Sequence, residues 1–78
     1  MALVLESSEI KIGGCSKFLV EFKIIDGKQF IDVRKWVLFP GSSEWMPTKK
    51  GICLELHQWK QAIEKMEELL SANMQDKK

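Results

Sequence analysis

The sequence predicts an α+β domain: a four-stranded antiparallel β-sheet, connected as a meander, followed by one C-terminal amphipathic α-helix. Three observations lead there. Apolar and polar residues alternate with period two through residues 17–38. Asp26-Gly27 interrupts that alternation at a point suited to a tight hairpin. From Leu56 onward the apolar residues recur every three or four positions instead.

Each element follows from these signals. In Lys17–Ile25, Phe18, Val20, Phe22 and Ile24 share one face, and Lys17, Glu21 and Lys23 point the other way. Glycine accepts the positive φ of a tight turn, so Asp26-Gly27 returns the chain into a strand over Lys28–Leu38. There Ile31, Val33 and Val37 fall on one face, and Phe30, Asp32, Arg34 and Trp36 on the other. A first strand around Ser8–Ile12 ends at Gly13-Gly14. Pro40-Gly41-Ser42-Ser43 is a loop, and residues 44–48 either continue it or form a short edge. Lys49–Leu54 is the last strand, with Gly51 marking a bend or a close backbone approach. The helix seam is Leu56, Trp59, Ile63, Met66 and Leu70, backed by a charged face of Lys60, Glu64, Lys65, Glu67 and Glu68. The domain is expected over residues 8–72, between a flexible N-terminus (1–7) and a flexible tail (73–78). Sheet and helix suggest a simple assembly: Trp59, Ile63 and Met66 cover Phe18, Val20, Phe22, Ile31 and Val33. The face carrying Arg34 and Trp36 stays open.

Size limits the core. A chain of 78 residues buries only roughly 60% of its unfolded surface, and scaffolds this small draw on a disulfide, a metal or a partner subunit. Cys15 and Cys53 form no CxxC or CxxH pattern, and the single His57 cannot complete a four-ligand zinc site with them. No metal or cofactor is expected, which leaves oligomerisation. Met1–Leu5 is too short and lacks the basic start of a secretory signal. No run of about 20 apolar residues could span a membrane. Free cysteines suit a reducing compartment, so the protein is expected inside the cell. That means the nucleus in a eukaryote, or the cytoplasm or nucleoid in a bacterial or viral setting.

Catalysis is not expected. His57 sits at the strand-to-helix junction, and Cys15 has no neighbouring base to activate it. Cys53 lies in an apolar run and reads as a small buried hydrophobe. Gly13-Gly14 lacks the spacing and lysine of a phosphate-binding loop. Asp26 and Asp32 fit a turn and a strand surface.

Binding is better supported. The net charge is only +1, yet residues 11–50 hold eight basic residues against four acidic ones. A sheet face with Arg34 and Trp36, edged by Lys17, Lys23, Lys28, Lys49 and Lys50, offers cations for phosphates and a ring for unpaired bases. Trp45 has two roles open to it, a stacking platform or a loop anchor. Composition alone leaves two readings: a module for single-stranded nucleic acid (DNA, RNA or melted duplex), or a protein-interaction scaffold using the helix seam.

Ordered motifs narrow the choice. Gly27-Lys28, Ile31-Asp32-Val33-Arg34-Lys35-Trp36, Pro47-Thr48-Lys49-Lys50-Gly51-Ile52-Cys53-Leu54 and Gln58-Trp59 together resemble the positive cofactor four family of transcriptional coactivators, over roughly residues 10–71. The resemblance implies a homodimer that binds single-stranded DNA across its sheets without sequence preference, as a transcriptional coactivator or regulator, with transcription-machinery proteins as partners. By position it carries over Lys17, Lys28, Arg34, Trp36, Lys49 and Lys50, with Gly51 in the Gly-Ile step. Val37 stands where the family often has a second aromatic, a gap that Trp45 is placed to fill. The hairpin is about one residue longer, which leaves the register of Lys23 open. Leu56 replaces a proline common at the helix start.

Overall fold

The structure, a computed structural model, describes residues 2–74. Four strands, β1 (Ala2–Lys11), β2 (Ser16–Ile25), β3 (Lys28–Leu38) and β4 (Trp45–Glu55), form one antiparallel sheet in the order β1-β2-β3-β4, and α1 (Leu56–Met74) follows. The predicted fold class is the observed one. β1 starts at Ala2 instead of Ser8 and takes in residues 2–7 of the stretch read as a flexible N-terminus, Met1 lying outside the described residues. It does so by pairing along β2, from Ala2 opposite Ile25 to Lys11 opposite Lys17, with a shift between Val4 and Glu6. β4 is also longer than expected, with Trp45 as its first residue. Of the predicted tail, Asn73 and Met74 are helical, and residues 75–78 lie outside the described residues.

Turn chemistry sets the register. Asp26 (φ 51°) and Gly27 (φ 80°) both adopt positive φ, the type I′ conformation that matches the twist of a two-residue hairpin. Between β3 and β4, the Ser42 N–H donates to the Phe39 carbonyl (3.0 Å) across Pro40-Gly41, with Gly41 at φ 81°. That is a type II turn, with proline and glycine where it requires them.

Two hydrogen bonds join α1 to the sheet. At the helix start, the Gln58 side-chain oxygen accepts from the Glu55 N–H (3.1 Å), the reach-back half of a capping box. The Trp59 indole N–H donates to the Ile31 carbonyl of β3 (2.7 Å). Beyond that point the helix does not cover the sheet, contrary to the assembly expected from the sequence. Ile63 is 47% and Met66 46% exposed, and no hydrophobic side chain is fully buried among the described residues. The seam and the aliphatic face of the sheet are real, but they do not close on each other. Cys53, expected to be buried, is exposed along with Cys15.

Size measures agree. The accessible surface is 6169 Å², where a compact monomer of this mass exposes about 4900 Å². The radius of gyration is 15.2 Å, against roughly 11.5 Å for a compact domain of this length.

At matched protein concentration, Trp59→Phe removes the bond to the Ile31 carbonyl and should lower the unfolding free energy by about 1–2 kcal/mol. Urea denaturation followed by far-UV circular dichroism measures this. An unchanged midpoint would show that the indole bond does not hold the helix.

Candidate nucleic-acid interface

Residues directly opposite each other in an antiparallel ladder share a face, so the register places the predicted site residues. Lys17 faces Trp36, Leu19 faces Arg34, Glu21 faces Asp32, and Lys23 faces Phe30. On the other flank of β3, Cys53 is opposite Asp32, Gly51 opposite Arg34, and Trp45 opposite Leu38. Lys17, Lys23, Arg34, Trp36, Trp45 and Gly51 therefore lie on one side of the sheet. Lys28 pairs with Ile25 at the hairpin end of that side.

At one end, the Lys17 ammonium sits 4.3 Å from the centre of the Trp45 ring, within cation–π range. The Glu9 carboxylate also holds it at 3.0 Å. Trp45 is thus half-buried at the start of β4 and already engaged by a lysine. A cleft of about 300 Å³ opens beside it, lined by Glu9, Lys11, Gly13, Gly14, Ser16, Lys17 and Trp45.

The middle of the face is an ionic network. Arg34 donates to both carboxylate oxygens of Asp32 (Nη2 to Oδ1 3.0 Å, Nε to Oδ2 3.2 Å) and to the Thr48 carbonyl through Nη1 (3.2 Å). Lys23 lies 3.6 Å from both Asp32 and Glu21. The hydrogen bond to Asp32 pushes the guanidinium pKa up, outweighing the opposing effect of burial, so Arg34 is a permanent cation here.

Beside this network β4 bulges. Between the pairs Arg34–Gly51 and Trp36–Pro47, the residues Thr48, Lys49 and Lys50 stand against Lys35 alone. The Thr48 hydroxyl fastens the bulge: it donates to the Lys35 carbonyl (2.8 Å) and accepts from the Lys50 N–H (3.1 Å). Gly51 fits under the strand where no other residue would. A Cβ there would lie 2.7 Å from the Val33 carbonyl oxygen and 2.8 Å from the Arg34 Cα. Lys49 and Lys50 are exposed. Lys28, Lys49 and Lys50 form no ion pair among the described residues.

The sequence reading missed the residues that hold the cations. Asp32 was assigned to a strand surface, yet it anchors Arg34 and Lys23. Two residues apart on one strand, Asp32 and Arg34 necessarily share a face, so that pairing was available from the spacing. Glu9 and Thr48 act through pairings far apart in sequence and left no such signal.

No group of three or more metal-binding side chains occurs among the described residues. No helix among them is long and apolar enough to cross a membrane. Among curated proteins, no sequence matches the chain significantly. A solved structure with the same fold is the bacteriophage T5 homolog of the eukaryotic transcription coactivator PC4, implicated in recombination-dependent DNA replication. It superposes with a TM-score of 0.68 at 20% identity, over 90% of this chain and 83% of that one. The family model of Transcriptional Coactivator p15 (PC4) matches residues 18–65, from β2 through the bulge into α1. With the ordered motifs falling on this sheet, bulge and helix start, the chain belongs to the PC4 family.

Proposed function

We propose that this protein binds single-stranded DNA without sequence preference, as a homodimer, in a coactivator-like role in transcription. The observation that carries this reading is the β4 bulge, which holds Lys49 and Lys50 without carboxylate partners beside a face bearing Trp36 and Trp45. Cations free of internal partners take up phosphates and release counterions. Indole rings stack on bases of any sequence. Duplex DNA hides those base faces, so the combination favours single strands. Membership of a family described as transcriptional coactivators supports the role in transcription, a role exercised in the nucleus of a eukaryotic source and in the cytoplasm or nucleoid of a bacterial or viral one.

The unclosed apolar surfaces support the dimer. The aliphatic sheet face and the α1 seam of Ile63, Met66 and Leu70 leave apolar area exposed that a second copy would cover. One sheet also offers few contacts, and two paired sheets double the length of strand held.

Light scattering on the purified chain should give about 18 kDa, twice the 9.0 kDa protomer. A mass of one chain at micromolar concentration would exclude the dimer.

Replacing Lys49 and Lys50 together with alanine should keep the circular dichroism spectrum. The dependence of log affinity on log salt should shallow by about 1.4, at ~0.7 per phosphate contact on single strands. Fluorescence anisotropy with labelled single-stranded and duplex oligonucleotides reads this. Equal, weak and salt-insensitive binding of the parent protein to both would favour a protein-interaction scaffold instead.

Trp36→Ala and Trp45→Ala should each weaken single-strand binding by about 1–3 kcal/mol. Full affinity in either variant would remove that ring from the site.

A further inference from the structure

Among the described residues Asp32 alone is buried, 3% exposed, although it lies in the middle of the charged face. A buried carboxylate is costly, and it repels phosphate. Its surroundings explain how it is kept. Both oxygens accept from Arg34 (3.0 and 3.2 Å), and Lys23 stands 3.6 Å from Oδ2. One carboxylate therefore engages two of the face's cations at once. With the Thr48 carbonyl accepting from Nη1, three of the five guanidinium N–H donors are committed. Glu21 stands opposite Asp32 and 3.6 Å from Lys23. The group Glu21, Lys23, Asp32 and Arg34 carries no net charge. Lys28, Lys49 and Lys50 are different, with no carboxylate partner among the described residues.

We infer that Asp32, seconded by Glu21, is an internal counter-ion that competes with a phosphodiester chain for Arg34 and Lys23 and so limits how tightly the face grips. It is a positioning residue, acting through the two cations and touching no phosphate itself. Apart from Lys17, which Glu9 holds at the far end, the cations then fall into two groups: lysines at the bulge and hairpin that meet phosphate directly, and a restrained pair between them. This inference rests on the single-strand reading above.

The test is anisotropy titration of a labelled oligothymidylate against the parent protein and Asp32→Asn over a salt series. The asparagine oxygen still accepts from Arg34, but the negative charge is gone. Affinity should rise roughly three- to tenfold, and the log–log salt slope should steepen by about 0.7 for each cation newly meeting a phosphate. A folded Asp32→Asn protein with unchanged or weaker binding overturns the inference alone. So does tighter binding at an unchanged slope, because no further phosphate is then engaged. If the parent protein shows no salt-dependent binding, the single-strand reading itself falls. Should Asp32→Asn fail to fold, Glu21→Gln carries the test through Lys23: tighter binding with a steeper slope supports the inference, and unchanged binding overturns it.

Discussion

Side chains along β3 point alternately to opposite sides of the sheet, and each functional part of the molecule is fastened to one side or to the backbone between. On the charged side, Asp32 and Arg34 form a bidentate pair, with Trp36 next along. On the other, Ile31 and Val33 align with Phe22 and Val20 of β2. The β3 backbone supplies the remaining anchors: the Ile31 carbonyl receives the Trp59 indole, and the Lys35 carbonyl receives the Thr48 hydroxyl. A one-residue slip of β3 would send the charges to the aliphatic side and the aliphatics to the charged side. Helix, bulge and ionic network all depend on that single register.

The chain also leaves its apolar surfaces unmet. Hydrophobic stabilisation scales with area removed from water, and here the seam of α1 beyond Trp59 and the edge-strand residues Leu3, Ile10, Met46 and Ile52 of the aliphatic sheet face remain exposed, while the centre of that face is half-buried. Whatever covers these surfaces would couple its association to folding, since the described residues do not cover them themselves. This separates the molecule's two sides: one suits protein contact, the other carries the charges and the rings.

The architecture was legible where local chemistry decides it. Asp26-Gly27, the period-two runs in β2 and β3, and the change of period at Leu56 all coincide with observed boundaries. β1 was legible only in part. Glu6-Ser7-Ser8-Glu9 has the composition of a loop, and its strand conformation comes from lying against β2, a pairing that local propensity does not encode. The α1 seam announced a surface to be covered without saying by what, and the nearest sheet proved the wrong answer. Within the site, alternation put Arg34, Trp36 and Lys17 on one face, as observed, whereas the position of Lys23, open from the sequence, is settled by its pairing with Phe30. The ion pairs that restrain them depend on distances across strands. Trp45 sits under Lys17 because β2 and β4 both border β3, a relation with no trace in either segment alone.

Gly51 has a bearing on how such a sequence can drift over generations. Lysines at the bulge can be exchanged for arginine, or shifted by a position, with the charge preserved. The backbone contact beneath Gly51 admits no such exchange, because any side chain must lift β4 from Val33 and Arg34. Lifting it would also loosen the Thr48 clamp on Lys35. The residue with no chemistry of its own is thus less replaceable than the exposed lysines beside it, whose charge survives exchange for arginine.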